Sequence, residues 1–376
     1  MMNAKMLFSM ILALAALTFG QVGFSIDAEG GYASNIFANY RQLPDYYQNF
    51  QGYLNYDALS EGAGLRAFYQ GAATLFENYD ARSYSLHQVG LSFYNYINES
   101  EQQKLNLGIN ATMRLHREEY QWYEYKQGYF FANYKTALRP QLYGYIGVNS
   151  RVRAYDNLRP YSYLQHVAFL RLSSFFNSGT SLIAELDFMH KDYLHDEATP
   201  GEFAELQTDG DGQNQQLIGI LRVAQAVTLK TGLSAQLTVR RNLTSSVRYL
   251  IDAEGYYYSD EELFDDPFGY EAEQFDIALK QKLPWKIQVE LAGAYLMKHY
   301  SNRLALDLDG YPFIDLRLRG DQRFIGQISL SKAWHVSRSI APMIFSIDLS
   351  FTRNDSNDPY YIYNTRYFSV GFSQSF

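Results

Sequence analysis

KLNLGINATMRLH, residues 104–116, alternates without a break: Leu105, Leu107, Ile109, Ala111, Met113 and Leu115 fall on one side, and Asn106, Gly108, Asn110, Thr112, Arg114 and His116 on the other. Successive side chains of an extended chain point to opposite faces, so a period of two held this long predicts a β-strand with one apolar and one polar face. APMIFSIDLSFT at 341–352 repeats the pattern, with Met343, Phe345, Ile347, Leu349 and Phe351 opposed by Ile344, Ser346, Asp348, Ser350 and Thr352. So does YFSVGFSQSF at 367–376, where Phe368, Val370, Phe372 and Phe376 oppose Tyr367, Ser369, Gly371, Ser373 and Ser375.

Reading outward from these stretches gives about 16 such segments, near 22–33, 47–58, 64–76, 82–95, 103–117, 123–136, 140–154, 162–175, 180–193, 214–228, 232–246, 270–282, 286–300, 320–335, 341–353 and 364–376. Their length argues against a soluble sandwich, whose strands run nearer about 5 or 6 residues, whereas a tilted membrane-spanning strand needs about 9 to 11. The links sort into two kinds. Those after even-numbered segments are short, such as SEGAG and LRP, while those after odd-numbered segments include long ones near 34–46, 194–213, 247–269, 301–319 and 354–363. Short turns on one rim and long loops on the other, with an even strand number, predict an all-β fold: a single transmembrane antiparallel up-and-down β-barrel with short periplasmic turns and longer extracellular loops.

The start of the chain is consistent with that destination. Lys5 precedes an apolar run from Met6 to Leu17 and the small residues Thr18 and Gly20, so residues 1–20 read as a secretory signal and 21–376 as the barrel. No later apolar run is long enough for a helical span. The chain has no cysteine, which excludes disulfides, thiolate metal sites and attachment of lipid through an N-terminal cysteine. A net charge of −8 gives no reason to expect nucleic acid. The expected surroundings are outer-membrane lipids and lipopolysaccharide, and girdles at the two lipid interfaces would account for most of the 34 tyrosines.

The final segment resembles the C-terminal signal read by the barrel-assembly machinery of Gram-negative outer membranes. Phe368, Val370, Phe372 and Phe376 carry the likeness, and Gln374 departs from it, since an apolar or aromatic residue is more usual there. The resemblance implies that this machinery is a partner. GYASNIF at 31–37 is similar to first-strand openings in several barrel families, including the surface-lipoprotein assembly modifiers.

With the apolar faces toward lipid, the polar faces line a lumen. Arg66, Arg114, Arg151, Arg153, Arg171, Arg222 and Arg240 lie there on segments three to eleven; Asp27, Glu29, Asp57, Glu185, Asp187, Asp276, Glu290 and Asp348 lie mostly on the first two and the later ones. This arrangement predicts an arginine-rich wall across from a carboxylate-rich one, as charged pores use for selection; the alternative is pairing between neighbouring strands. Arg151 and Arg153 with Glu185 and Asp187 are the first pairs expected, although their strands are not neighbours. Asp209 and Asp211 have part of the spacing of a calcium loop, without the glutamate that completes it, so a metal role is left open. Asp260, Glu261, Glu262, Asp265 and Asp266 read as a solvated acidic loop tip, although the loop at 194–213 or that at 247–269 is placed to fold inward and set carboxylates against the arginines.

No GxSxG, HExxH or glycine-rich phosphate loop occurs, His116 has no obvious serine partner, and His166, His190 and His299 fall on lipid faces near strand ends, so neither an enzyme nor a cofactor is expected. About 16 strands leave an aqueous channel where about eight would be filled. The expected function is a pore for passive diffusion of small hydrophilic solutes. The alternative is a non-conducting barrel with a structural, export-assisting or lipid-hydrolysing role. Oligomeric state is left open.

Overall fold

The computed structural model describes residues 21–98, 102–195, 213–248, 261–335 and 341–376. Sixteen antiparallel strands follow chain order around a closed barrel, with the last paired to the first. The first eight are β1 (Gln21–Ala33), β2 (Asp45–Ser60), β3 (Ala63–Phe76), β4 (Tyr84–Tyr96), β5 (Gln103–His116), β6 (Tyr125–Arg139), β7 (Leu142–Tyr155) and β8 (Tyr163–Phe175). The others are β9 (Thr180–Tyr193), β10 (Gln213–Ala226), β11 (Thr231–Thr244), β12 (Tyr270–Lys282), β13 (Ile287–Leu304), β14 (Leu318–Trp334), β15 (Met343–Ser356) and β16 (Tyr363–Ser375). The segments read from the sequence coincide with these within four residues at every end. The proposed signal at 1–20 lies outside the described residues.

Closure satisfies every strand edge, which a membrane demands because hydrocarbon offers no hydrogen bonds. The seam aligns Gly30 with Val370 and Tyr32 with Phe368, keeping both apolar faces on the same side. Ile109, Ile146, Leu186, Phe275, Phe324 and Leu349 point outward as part of an exposed apolar belt. On the periplasmic rim, two-residue links join β2 to β3 and β6 to β7. In the first, Gly62 adopts φ 76°, a left-handed conformation that a side chain disfavours.

Described parts of two extracellular links turn back over the lumen. In the β1–β2 link, Asn35, Ile36, Phe37 and Asn39 are buried. The β11–β12 link carries a helical turn at Glu261–Phe264 and a 3-10 turn at Pro267–Gly269, with Leu263, Phe264, Asp265, Asp266 and Phe268 all buried. The buried interior is therefore concentrated in the extracellular half.

Tyrosines stand on both faces of the sheet. Tyr125, Tyr155, Tyr161, Tyr163, Tyr270, Tyr300 and Tyr363 are buried, whereas Tyr46, Tyr69, Tyr295 and Tyr311 are the strongly exposed ones. Packing around inward loops and cations accounts for the buried rings, because a phenol offers a broad apolar face and a hydroxyl that can still be satisfied.

Candidate functional site

The inward part of the β11–β12 link is held from both sides by charge. On one side, alternation along β13 and β14 turns Lys298, Tyr300, Arg319, Asp321 and Arg323 inward. Asp265 accepts a hydrogen bond from Lys298 Nζ at 2.5 Å and another from the Tyr300 hydroxyl. Arg319 Nη2 stands 3.9 Å and Arg323 Nη2 3.8 Å from the same carboxylate. Arg303 Nη1 donates to the Phe264 carbonyl at 2.8 Å, and its Nη2 to the Tyr361 hydroxyl at 2.6 Å. Arg319 grips Asp321 with Nε at 3.0 Å and Nη2 at 2.5 Å, and its guanidinium carbon lies 3.3 Å from the Tyr361 ring centroid.

On the other side, Lys191 of β9 donates to Asp266 Oδ2, and Asp266 Oδ1 caps the following turn by accepting the Phe268 N–H at 3.0 Å. Between the two anchors, Leu263 and Phe264 pack into a cluster with Tyr125, Tyr155 and Tyr161, which belong to strands and links on the β6–β8 side. The loop thus reaches from the β11–β12 hairpin to the facing wall. Burial alone would push the Asp265 carboxyl up, but Lys298, Arg319, Arg323 and Arg303 hold it well below the usual carboxylate range.

Asp265 and Asp266 correct the reading of a solvated acidic tip. A lone buried lysine is costly, and these carboxylates are the counter-ions that let Lys191 and Lys298 face inward. Asp260 and the side chains of Glu261 and Glu262 lie outside the described residues, as do Asp209, Asp211 and the centre of the 194–213 link.

A cavity of about 560 Å³ opens inside the β1–β7 wall, lined by Arg82, Arg114 and Arg153 together with Tyr84, Tyr125 and Glu29. Each arginine lies over a ring: Arg82 at 4.6 Å from Phe76, Arg114 at 4.3 Å from Tyr84 and Arg153 at 4.2 Å from Tyr125. Such stacking keeps a guanidinium ordered while leaving its in-plane donors directed elsewhere. Arg153 uses two of them on Gln127 Oε1, and Glu29 accepts from the Tyr47 hydroxyl.

The other sequence-derived lumen residues distribute along the barrel. Arg66 pairs with Asp57 at 2.6 Å and Arg171 pairs with Glu185, each across a single ladder. Pairing of Arg151 or Arg153 with Glu185 is thereby corrected: Arg171 is the direct cross-strand neighbour of Glu185, and β8 separates β7 from β9. Asp187 lies two residues along the same inward face of β9, and Arg151 stands across from Tyr129. Arg222 and Asp276 line one cavity of about 320 Å³, Arg240 donates to Gln216 at 2.9 Å, and Glu290 accepts from Lys280 at 3.0 Å. Asp348 faces Ser329 and Ser369 on its neighbours.

Phe368, Val370 and Phe376 are exposed on the lipid side, and Phe376 stacks on Phe24 at 6.0 Å. Phe372 shares that face, its ring 6.0 Å from that of Phe345. Gln374 is buried because its amide donates to the Ala341 and Ser375 carbonyls. On the outer wall, Ser150 Oγ lies 2.8 Å from His166 Nδ1, a pair missed in the sequence because its members are sixteen positions apart on adjacent strands.

Lys191, Lys298, Arg303, Arg319 and Arg323 were also missed. For Lys191 and Lys298 a signal existed, since they share the inward parity of Glu185 and Glu290 on their own strands. Arg303 and Arg319 fall beyond the expected strand ends, because β13 continues past a register shift between His299 and Leu304.

The family model for surface lipoprotein assembly modifiers matches residues 224–376, from the end of β10 through β16. No curated protein sequence matches the chain. Among solved structures, the Pseudomonas aeruginosa outer-membrane protein OpdK is similar at a TM-score of 0.52 and 10% identity, over 95% of this chain and 99% of that one. OccK8 (OprE) of the same organism is similar at a TM-score of 0.52 and 10% identity, over 96% and 98%. OpdK solved with vanillate gives a TM-score of 0.50 at 10% identity, over 95% and 99%. At this identity the likeness is one of fold. With its outward apolar belt and closed sixteen-stranded sheet, the chain is a Gram-negative outer-membrane β-barrel of porin-like architecture.

Proposed function

We propose that the protein is a channel through which small hydrophilic anions cross the outer membrane, narrowed on its extracellular side by residues 261–269. The observation that carries this reading is the cavity lined by Arg82, Arg114 and Arg153, three cations ordered by aromatic rings on one wall of the lumen. Pre-ordered guanidinium groups bind planar oxyanions at low entropic cost. OpdK has been solved with vanillate, a small aromatic carboxylate, and a ligand of that kind suits a site made of arginines and tyrosines. The arginine and carboxylate residues named from the sequence, from Arg66 to Asp348, would tune the field along the path.

The test is single-channel conductance of the refolded barrel in a planar bilayer, with selectivity read from the reversal potential in a salt gradient. Discrete steps with anion preference are expected, and Arg114→Ala combined with Arg153→Ala should reduce that preference. A silent bilayer, with folding confirmed by heat-modifiable gel migration, would overturn the channel.

A second reading is export assistance, in which the barrel helps deliver a lipoprotein to the cell surface. It is favoured by the family model, whose span includes both the inward loop and its β13–β14 anchors. Protease accessibility of a co-expressed surface lipoprotein, with and without the barrel, separates the two readings.

A further inference from the structure

The anchor of Asp265 sets four cations, Lys298, Arg303, Arg319 and Arg323, against three buried carboxylates, Asp265, Asp321 and Asp358. All four cations converge on Asp265 with the Tyr300 hydroxyl, while Asp321 is committed to both arms of the Arg319 fork. Arg319 is 2% exposed, yet its Nη1 finds no hydrogen-bond partner. A buried guanidinium donor without an acceptor is expensive. Its presence marks a donor that neither Asp265 nor Asp321 satisfies.

We propose that the inner wall of β13 and β14 is a receptor site for the carboxylate of a solute, and that Asp265 occupies it as an internal stand-in until a solute carboxylate displaces it. The proposal rests on the channel reading and names the group that opens it. Binding is pure exchange: the solute carboxylate accepts from Lys298 Nζ, the Tyr300 hydroxyl and the unused Arg319 Nη1, and Asp265 leaves with its loop into the aqueous lumen. The geometry favours a carboxylate over chloride, because Lys298 Nζ, the Tyr300 hydroxyl and Arg319 Nη1 are separate donors that two oxygens can share and a single spherical ion cannot. A tethered carboxylate competes at an effective concentration in the mM range for short links, so the solute must be present near that level or make additional contacts. Release of Asp265 weakens the hold on Phe264, whose carbonyl is tied to Arg303, and with it the aromatic contact to the facing wall.

The chain's lack of cysteine supplies a clean reporter. Phe264→Cys places a thiol where the ring is buried, and maleimide labelling then reads loop release whether or not the barrel conducts. Sodium succinate, compared with sodium chloride at equal ionic strength, is expected to accelerate labelling on the order of tenfold. Asp265→Asn in the same background should label fast in chloride and gain nothing from succinate. Calorimetry should detect succinate binding to the Asp265→Asn barrel, and Lys298→Met should abolish it. Leu263→Cys serves as a second reporter should Phe264→Cys fail the heat-modifiability check. Equal labelling in succinate and chloride, or an Asp265→Asn loop as protected as the wild type, overturns the proposal. Silent bilayers with succinate-dependent labelling would overturn the channel reading and leave the carboxylate site standing.

Discussion

Two lysine–carboxylate contacts stand near opposite rims, one within the β12–β13 hairpin and one between β13 and the β11–β12 link. At the periplasmic end Lys280 meets Glu290 at 3.0 Å with both side chains well exposed, at 51% and 39%. At the extracellular end Lys298 meets Asp265 at 2.5 Å with exposures of 2% and 9%. The first pair is screened by water and salt, and its removal exposes nothing new. The second lies in a dry cluster where each charge exists because its partner does. The same contrast runs through the whole barrel. The periplasmic half of the lumen is lined by small polar groups and open pairs such as Arg66–Asp57, and the extracellular half is packed with rings and buried ions. One end is a passage and the other a fitting.

The largest consequence belongs to the buried pair. Asp265→Ala strands Lys298 and the adjoining arginines in an interior without their counter-ion, a loss of about 3–5 kcal/mol by comparison with other broken buried pairs. Hydrogen exchange should show residues 261–269 losing protection while the β-ladders keep theirs. If protection of the loop were unchanged, the charge cluster would not be what holds it.

Next comes the ring. Phe264→Ala empties a buried site between Tyr123 and the Tyr125–Tyr155 pair and should cost about 3 kcal/mol or more of local stability. Substituting Phe264 with Leu should restore most of it, since the site needs volume more than a particular ring. A leucine variant as damaged as the alanine one would mean that the ring contacts themselves fasten the loop.

How much of this contrast was visible beforehand follows from what alternation can and cannot encode. Residues 104–116 and 341–352 have one neighbour on each side and a single interior, so period two sufficed to give strand, face and order, and β9 and β12 matched their expected limits. Pairing partners needed the ladder: Arg171 and Glu185 are fourteen positions apart and meet because β8 and β9 are consecutive. The inward loop was placed among two candidates, yet its aspartates read as solvent-exposed. No local pattern states that Lys298, Arg319 and Asp265 converge, since two links and a bulged strand bring them together. The family likeness at residues 31–37 likewise gave no hint that Asn35, Ile36 and Phe37 turn inside.

Acidity gives a finer test of the two ends. The folded Asp265 carboxyl is held below its ordinary value, so its contribution to stability is complete above the unfolded carboxylate pKa of about 3.9 and is lost only as pH falls through the lower folded value. Labelling of Phe264→Cys, with Lys298, Arg303, Arg319, Arg323, Tyr300, Asp321 and Asp358 all intact around the loop, should therefore stay slow from pH 7 down to about 4 if Asp265 governs the anchor, although burial raises the Asp358 carboxyl beside Arg319 and Arg303. An acceleration near pH 5 to 6 would show that another group governs the anchor.

The smallest effect is expected at the open pair. Glu290→Gln keeps the shape and a hydrogen-bond acceptor for Lys280 while removing the charge, and exposed pairs of this kind are worth about 0.2–1 kcal/mol. Its urea midpoint in lipid vesicles should be nearly that of the wild type, with any difference fading as salt is raised through the Debye range. Glu290 also faces the water-filled end of the lumen, so its loss leaves Lys280 without its carboxylate and should shift the reversal potential toward anions. A large destabilisation that persists in high salt would mean that the periplasmic half is packed as tightly as the extracellular one, and the contrast between the two ends would collapse.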